Sequence, residues 1–333
     1  MASMYEANLV GKRQEILDKI FNVEAEETPC LSLLRKAGPP NALLATWVAE
    51  AYPDVASTGV LDGAAATNPG RVDRHLLQGC GQHFRQEWGV TTLTEVTNTA
   101  GTGRNEAGHQ MAKAMLLLKR QMEQQILSTT ECASESGATP WTMRGAFKWL
   151  LNTEQALYPV PSAIRPAAAA LYAGAYASLD QDAFRTLMLT AAKAKKSTVS
   201  LIGMVGETLK TKIDDWTNIY PVASTTSQPR MQYTVAGNNV LKNFVDRLVF
   251  SAGSATLAVN YFIDRDTTSG AANTYADKNG LFLDMRMWEL AYYKKPANTN
   301  LAPDGSGKKG FVDAIALLRC LNPLGQVKVE VSS

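Results

Sequence analysis

The sequence predicts an α+β fold, because helical and strand patterns occupy separate runs along the chain. Residues 106–130 carry apolar side chains at the spacing of a long amphipathic helix. Residues 43–52, 84–97 and 230–263 are rich in the β-branched and aromatic side chains that favour strands. Residues 281–333 repeat the strand pattern around polar turns, so this last stretch is predicted to return to a sheet.

Composition limits the classes of protein to which the chain can belong. It has 333 residues, 45% of them hydrophobic, which is enough to bury a substantial core. The formal net charge is only +2, so there is no large excess of lysine and arginine to neutralise a phosphate backbone. This balance excludes a dedicated DNA-binding domain and is compatible with a protein that contains DNA without reading it.

Cysteine usage and hydropathy indicate an intracellular, non-membrane protein. The four cysteines lie far apart without a CxxC pair, which argues against a structural zinc site and predicts scattered free thiols in a reducing cytosol. Residues 1–21 lack the apolar core of a signal peptide. The most apolar stretch, 167–177, is far shorter than the ~20 residues that span a bilayer. We therefore expect neither secretion nor a membrane segment.

The N-terminal region is predicted to be an arm. Residues 6–21 place apolar side chains at roughly helical spacing among charges, which predicts a short amphipathic helix. From Asn22 the chain turns acidic and then reaches Pro29, Pro39 and Pro40, which favour extended backbone. Such a segment needs a partner surface to become ordered.

A long connection separates two predicted strands. The run 43–52 is predicted to pair with the run 84–97. Between them, Pro53–Arg74 is rich in small and polar residues and holds few large aliphatics. Loops of this length are uncommon in compact domains and usually have a function. The simplest interpretation is a projecting, flexible hairpin.

The helix over 106–130 is the strongest predicted element. Its apolar positions recur at spacings of three and four residues, namely Met111, Met115, Leu118, Met122 and Ile126. At 1.5 Å per residue the helix spans roughly 35 Å, as a rigid spine would. We interpret its methionines as core packing rather than as an adaptable surface for a partner.

Prolines near residue 160 predict a boundary before a second, compact α/β region. Its predicted elements are an Ala-rich helix over 167–177, an amphipathic helix over 180–195 with Phe184, Leu187 and Met188 facing inward, a strand over 198–205 and a helix over 206–216. Further β-type runs follow up to residue 263, and Thr267–Asn279 is predicted to be a polar loop.

Gly305, Gly307 and Gly310 form a GxGxxG pattern that contains Lys308 and Lys309. A dinucleotide-binding fingerprint needs a strand before this pattern and a helix that opens at it. Here a strand-like run follows instead, so we predict a lysine-bearing turn between strands rather than a phosphate site.

His75, Cys80 and His83 form the cluster that most resembles an enzyme site. No fourth ligand is evident, and on an extended strand both histidines face away from Cys80. Ordinary strand residues are the favoured interpretation. A zinc or thiol hydrolase that uses this cluster stays open as an alternative function.

The remaining candidates for catalysis have simpler explanations. No GxSxG nucleophile elbow is present, and His109 lies on the long helix as a surface or interface residue. Asp214 with Asp215, and Glu131 with Glu135, are interpreted as solvated charges rather than as acid and base partners. We therefore predict no catalytic, cofactor-binding or metal-binding residues.

Taken in order along the chain, these segments resemble the major capsid proteins of tailed double-stranded DNA phages, in the branch found in podophages with elongated heads. The residues that carry the resemblance are Thr28 and Pro29, Trp47, Thr91, Thr92 and Thr94 in an expected threonine-rich strand, 99–103, the spine motif 117–123, Thr142–Gly145 with Trp149, and 308–323. Gln121 departs from the pattern, since a carboxylate is usual there.

The resemblance implies an α+β protein of the Hong-Kong-97-type capsid fold, with peripheral (P) and axial (A) domains. The implied parts are an N-terminal arm over 1–40, an extended loop hairpin and its base over 41–97, the peripheral domain with the spine helix over 98–160, the axial domain over 161–280, and return strands of the peripheral domain over 281–333.

The resemblance also implies a function and a set of partners. The chain is expected to self-assemble as pentamers and hexamers into an icosahedral or elongated shell around dsDNA, without sequence-specific contacts or cofactors. Expected partners are other copies, a portal protein, a decoration protein and a separate scaffolding protein, because the sequence lacks a helical scaffold-like extension before the arm. The shell is expected in the virion, assembled in the host bacterial cytoplasm. An encapsulin-like compartment of the same fold is the alternative.

One chemical expectation comes from a gap in the sequence. No lysine occurs between Lys36 and Lys113. Some shells of this fold join an extended-loop lysine to an asparagine of the next subunit. This loop has no such amine, so we expect no isopeptide cross-link.

Overall fold

The computed structural model describes residues 27–50, 59, 61–65, 73–97, 105–216, 245–263, 276–302, 305 and 307–331. The helices in these parts are α1 (Pro29–Leu33), α2 (Thr92–Val96), α3 (Glu106–Ile126), α4 (Ala146–Trp149), α5 (Gln181–Lys195) and α6 (Glu207–Asp215). The strands are β1 (Arg35–Ala37), β2 (Leu44–Glu50), β3 (Arg74–Cys80), β4 (Gln82–Val90), β5 (Leu171–Tyr172), β6 (Val199–Val205), β7 (Arg247–Phe250), β8 (Gly253–Val259), β9 (Gly280–Leu283), β10 (Trp288–Asn300), β11 (Lys308–Cys320) and β12 (Val327–Val329). This mixture confirms the α+β prediction.

The chain divides into two compact units. In its described parts, the first unit comprises Arg85–Leu118 and Ala297–Asp313. The second comprises Thr28–Phe84, Lys119–Pro296 and the stretch that starts at Ala314. Several long elements therefore contribute residues to both units.

Three sheets organise the described strands. A four-stranded sheet has the order β1-β10-β11-β4, and β1 lies parallel to β10. A six-stranded sheet has the order β5-β12-β9-β6-β8-β7. The strands β2 and β3 form an antiparallel pair of their own.

The six-stranded sheet packs against α5 and α6 around a core in the second unit. Phe184 of α5 lies at its centre, with its ring centroid 4.8 Å from that of Phe282. Phe184, Leu187 and Met188 are buried, which confirms the predicted inward face of this helix. Asp180 caps α5, because its carboxylate accepts a hydrogen bond from the Ala183 N–H over 2.7 Å.

The spine helix α3 is confirmed, although it ends at Ile126 rather than near residue 130. Its buried row consists of Ala114, Leu118, Met122 and Ile126, four residues apart. The interpretation of all three methionines as core was wrong in part, since Met122 is buried, Met115 is half-buried and Met111 is 36% exposed. The sequence pattern placed Met115 in the buried row, but the structure places Ala114 there instead.

The predicted pairing of 43–52 with 84–97 was wrong. β2 pairs with β3, in a register that sets Leu44 opposite Cys80 and Glu50 opposite Arg74. The sequence of β3, RHLLQGC, has no β-branched residue and therefore gave a weak strand signal. Most of the connection Pro53–Arg74 lies outside the described residues.

The threonine-rich run does not continue as a strand. β4 ends at Val90, and Thr91 then caps α2, accepting a hydrogen bond on its Oγ1 from the Thr94 N–H over 3.4 Å. Threonine hydroxyls favour helix starts as well as strands, so composition alone could not separate the two.

The Ala-rich stretch does not form the predicted helix. Ala168–Ala170 and Tyr176–Ser178 are single 3₁₀ turns, and Leu171–Tyr172 between them is β5. This short strand pairs in parallel with β12, with Leu171 opposite Lys328. Pairing with the sheet outweighs the helix propensity of a short alanine run that Pro166 precedes.

Pro29 begins a helix instead of preventing one, since it occupies the first position of α1. Proline is tolerated there because its missing N–H would have no partner within the helix. The predicted helix over 6–21, the start of the predicted strand run 230–263 up to residue 244, and most of the predicted loop Thr267–Asn279 lie outside the described residues. Within the described parts, no helix is long and apolar enough to cross a membrane.

Candidate functional site

The hairpin formed by β2 and β3 has one face that displays aliphatic side chains to solvent. Val48 lies directly opposite Leu76 in the register, so the two side chains stand on the same face as neighbours. Val48 is 59% exposed and Leu76 is 51% exposed. Thr46 and Glu50, also exposed, flank this pair on the same face of β2. The arrangement is a small apolar patch with a polar border.

The opposite face of the hairpin packs against other parts of the second unit, to which the hairpin itself belongs. Trp47 donates a hydrogen bond from Nε1 to the Cys320 carbonyl oxygen over 3.0 Å. Its ring centroid lies 5.6 Å from that of buried Trp149. Gly79 fits beneath this ring, since an added Cβ would lie 3.0 Å from Leu317 Cδ1 and 3.1 Å from the Trp47 ring. The hairpin therefore starts from a rigid base and leaves its other face available.

The candidate zinc cluster is not brought together as a metal site. Cys80 forms a disulfide with Cys132, with their Cα atoms 5.8 Å apart, so its sulfur is unavailable as a thiolate ligand in this state. The described residues contain no group of histidine, cysteine or acidic side chains that could hold a metal ion. The prediction of four scattered free thiols was wrong for this pair, because the fold joins cysteines 52 positions apart.

Glu123 is a buried carboxylate that the sequence analysis missed. It accepts hydrogen bonds from the Cys30 N–H over 2.8 Å and from the Leu31 N–H over 2.6 Å, and thereby fastens the start of α1 to the spine helix. Burial raises the pKa of Glu123, and the hydrogen bonds from Leu31, Cys30 and Asn260 oppose that rise. An acidic residue beside Met122 on the buried side of α3 was the signal that could have revealed it.

Glu131 is an ion-pair partner rather than a solvated charge. Arg144, which is 1% exposed, donates from Nε to Glu131 Oε1 over 2.6 Å. The Arg144 guanidinium also lies over the Trp149 ring, 4.7 Å from its centroid. Burial lowers the pKa of Arg144, and the Glu131 carboxylate opposes this change. Glu135 is exposed, so the two glutamates have different surroundings.

Asp214 also departs from the solvated-charge interpretation. Its Oδ1 pairs with Nζ of buried Lys210 at 2.5 Å and accepts the Val245 N–H over 2.8 Å. Asp215 is exposed, as predicted. This pairing makes Asp214 a structural link between α6 and the segment that leads into β7.

Gly305 and Gly307 lie between β10 and β11, as predicted, but Lys308, Lys309 and Gly310 belong to β11, so the prediction that the turn carries the lysines was wrong. Gly305 and Gly307 have φ angles of +84° and +134°, which only glycine adopts readily. Lys308 begins β11 and pairs through Nζ with Glu95 of α2 at 3.0 Å. No helix opens at this pattern, so the turn lacks the geometry of a phosphate-binding loop. His109, the other candidate, is half-buried on α3.

These features combine a rigid, internally linked core with one exposed apolar patch. Charged groups inside the second unit hold its segments together, and an apolar patch stands on the free face of a hairpin. No pair among the candidate acids and bases has an arrangement suited to catalysis, because Glu131 and Asp214 are each committed to a basic partner.

Comparison with solved structures shows the same fold in phage shells. The chain resembles the capsid asymmetric unit of cyanophage A-1(L), with a TM-score of 0.63, 13% identity and 96% of each chain covered. It resembles the capsid of cyanophage P-SCSP1u, with a TM-score of 0.60, 10% identity, and coverage of 100% of this chain and 99% of that one. It also resembles the capsid of a native GTA particle, with a TM-score of 0.58, 11% identity and coverage of 100% of both chains. The fold is thus of the Hong-Kong-97 type.

Comparison at the sequence level identifies the family. No curated protein matches the chain. The family described as SU10 major capsid protein matches residues 3–331, which is nearly the whole sequence. This match favours the phage shell over the encapsulin-like compartment and over the hydrolase. The chain belongs to the SU10 major capsid protein family and is a structural protein of the phage head shell.

Proposed function

We propose that this capsid protein assembles as pentamers and hexamers into the head shell that encloses the phage dsDNA, and that the patch of Val48 and Leu76 rests on a neighbouring copy. The observation that carries the proposal is the exposure of two facing aliphatic side chains on a hairpin whose other face is fixed. Monomeric proteins leave single apolar residues exposed without consequence, but a bordered patch on a rigid element suits a contact surface.

Because a shell repeats each contact between subunits by symmetry, a small patch can be sufficient to help hold the shell together. Burying a valine or leucine side chain completely stabilises a contact by ~1.5–3 kcal/mol, and these two are already half covered. A single contact of this size is weak. In a closed shell every copy repeats it, so the contributions add over all subunits and the total is large.

We propose that the segments divide this work as the resemblance implies. The arm over 1–40 and the hairpin within 41–97 contact neighbours, the spine helix within 98–160 stiffens the subunit, and the axial part over 161–280 surrounds the capsomer axis. The strands over 281–333 complete the peripheral part. The rigid base of the hairpin and the 21-residue length of α3 support this assignment. An elongated head is the corresponding expectation for shape.

We also propose a separate scaffolding protein, a portal protein and a decoration protein as partners. The absence of lysine between Lys36 and Lys113 supports a shell held by non-covalent contacts between subunits. A decoration protein that covers the junctions between capsomers would add further contacts and so stabilise such a shell. The packaged DNA is held without sequence-specific contacts, as the net charge of +2 suggests.

The test is assembly of the chain in the presence of its scaffolding protein, observed by electron microscopy. The wild type is expected to form closed shells. The double variant Val48→Asp with Leu76→Asp is expected to remain as unassembled subunits or capsomers, because two carboxylates would have to be buried in the contact. Leu189→Asp is the matched control, since Leu189 is 41% exposed on α5 and its change should leave assembly intact.

Two results would contradict the proposal in different ways. Wild-type protein that stays monomeric at high concentration with its scaffold would overturn the shell function as described. Normal shells from the double variant would leave the shell function standing but remove the patch as a contact. Circular dichroism of each variant shows whether the subunit itself has folded.

A further inference from the structure

We propose that Cys80 and Cys132 form a redox latch, which is open as two thiols while the shell assembles and closes as a disulfide in the released particle. The inference goes beyond the proposed function and rests on it in one respect, namely that assembly takes place in a reducing bacterial cytoplasm. The bond lies within one subunit, and we propose that it forms only after the particle has left the cell.

The fold places the two cysteines where a bond forms without backbone movement. Cys80 is the last residue of β3 and lies opposite Leu44 in the hairpin. Cys132 follows the end of the spine helix and precedes a β-bridge between Ala133 and Thr142. Their Cα atoms are 5.8 Å apart, within the usual range for a disulfide. The dithiol form therefore fits the same framework.

The position of the bond in the chain explains what it would lock. The loop that it closes contains β4, α2 and the whole of α3. It thus contains all of Arg85–Leu118, the segment that the chain contributes to the first unit before it returns to the second. Both cysteines belong to the second unit. The bond consequently ties together the strand before this segment and the stretch after it.

Closing this loop is expected to act on stability more than on shape. A disulfide removes conformations from the unfolded or opened chain, and the effect increases with loop length. The sequence separation of 52 is long enough for a substantial effect. While the thiols are reduced, the base of the hairpin and the stretch after the spine helix are held together without this covalent bond, for example by the hydrogen bond from the Met143 N–H to Gln82 Oε1 over 2.9 Å.

Redox chemistry sets the timing. Forming the bond removes a proton and an electron from each thiol, and dioxygen accepts both pairs to give hydrogen peroxide. A reducing cytosol keeps such pairs as thiols, whereas the particle meets dioxygen without a thiol buffer after it leaves the cell. Both sulfurs lie in residues that are 0% exposed, so a small oxidant such as dioxygen suits the site better than a bulky one. The same burial then protects the closed bond from thiol reductants.

The other cysteines provide an internal control. Cys30 and Cys320 are buried free thiols. Burial raises the pKa of both thiols, which keeps them protonated and unreactive at neutral pH. Cys80 and Cys132 are equally buried, but they lie within bonding distance of each other, so oxidation of the particle should change this one pair out of the four cysteines.

The latch also relates to the expected lack of an isopeptide cross-link between subunits. No lysine between Lys36 and Lys113 means that the hairpin has no amine for a covalent bond to the next subunit. A disulfide at the foot of the same hairpin would stiffen each subunit instead. Covalent reinforcement would then act inside the subunits, and packing would act between them.

The first experiment counts thiols at two times. Infected or expressing cells are lysed anaerobically into denaturant with excess maleimide, and aged particles purified in air are treated in the same way. Mass spectrometry is expected to find four labelled cysteines in the first sample and two in the second. A linked peptide pair containing Cys80 and Cys132 should appear only in the aged particles.

Two results would overturn the latch. Four labelled cysteines in aged particles would show that the bond does not form. Two in the anaerobic sample would show a bond that is present from the start and has no role in timing. The labelling is independent of shell formation, because unassembled chains exposed to air report on the pair even where no particles form.

The second experiment measures the temperature at which particles lose their shell. Oxidised wild-type particles are expected to withstand roughly 3–8 °C more than particles isolated and kept reduced. The double variant Cys80→Ser with Cys132→Ser should show no difference between the two preparations, and Cys320→Ser, which alters an equally buried free thiol, should retain it. If the double variant does not fold, the comparison of oxidised with reduced wild-type particles still tests the proposal. Equal temperatures of shell loss in these two preparations would refute the stabilising role of the bond.

Discussion

Asn260 donates a hydrogen bond from Nδ2 to Glu123 Oε1 over 2.6 Å, and this contact joins residues 137 positions apart. The same carboxylate accepts two N–H groups at the start of α1. Glu123 therefore connects the spine helix with the segment that follows the N-terminal region and with the residue after β8. A single buried side chain fixes three distant parts of the second unit.

Replacing Glu123 with glutamine is expected to lower the free energy of unfolding by about 1–3 kcal/mol, because the amide group would face a backbone donor and leave it unsatisfied. Urea unfolding of the purified subunit measures this loss. Glu135→Gln, at an exposed position in the same region, should change stability little. A loss of the same size in the control would remove the special role of Glu123.

The pH dependence at Glu123 has a definite sign. Burial raises its pKa in the folded protein, so the folded state binds this proton more tightly than the unfolded chain. Its contribution to stability is therefore complete below about pH 4.3 and is lost as the pH rises through the folded pKa. Unfolding measured from pH 4 upward should show this decline in the wild type and lack it in Glu123→Gln. A wild-type curve parallel to that of the variant would contradict the assignment.

Asp284 should have the opposite pH dependence. Burial alone would raise its pKa, but hydrogen bonds from Arg286 and Lys195 outweigh that effect and hold it at about 2. The Lys195 ion pair is 2.7 Å long, and Asp284 is 2% exposed. The stabilisation, of order 2–3 kcal/mol, is present above about pH 4 and is lost as the pH falls towards 2.

Asp284→Asn tests this contribution. The variant should be less stable than the wild type at pH 7, and the difference should shrink below about pH 4, because there the unfolded wild-type chain binds the proton at Asp284 more readily than the folded protein does. Asp182→Asn is the control, since Asp182 also pairs with an arginine but is 80% exposed. A difference that persists unchanged at pH 2 would show that the ion pair is not its source.

The elements that were predicted correctly are those in which local pattern and burial agree. α3, α5 and α6 have apolar residues at helical spacing that face a core, and β6 and β11 are apolar runs buried on both faces. In these segments the pattern of apolar residues along the sequence directly reflects which side chains are buried.

The errors occurred where a distant partner decides the conformation. Leu171 is in a strand because β12 lies beside it, although its neighbours are alanines. Cys80 is in a disulfide because folding brings Cys132 next to it. Glu123 links distant segments because the Cys30 N–H and the Asn260 side chain donate hydrogen bonds to it. Such pairings leave no trace in the local pattern, so one sequence by itself could not reveal them.

Trp47 offers a test of how the hairpin is fixed. Trp47→Phe keeps an aromatic ring against Trp149 but removes the N–H that the Cys320 carbonyl accepts over 3.0 Å. The expected loss is about 0.5–1.5 kcal/mol in urea unfolding, since the carbonyl is partly buried. Trp88→Phe removes a comparable bond to Asn298 at an exposed site, where water can replace it, and should cost less. Equal losses would indicate that ring volume, not the hydrogen bond, holds the hairpin.

The expectation that no isopeptide links form leads to a prediction for mature particles on denaturing gels. The described hairpin strands β2 and β3 contain no lysine, and none occurs anywhere from residue 37 to 112. In particles boiled in detergent and reductant, the capsid protein should therefore run as one band near its chain mass of 36.1 kDa. Without reductant the band should shift slightly but stay monomeric, because the Cys80–Cys132 bond lies within one chain. A ladder that survives reduction would refute the expectation of non-covalent contacts, and a ladder that disappears with reductant would place the disulfides between subunits instead.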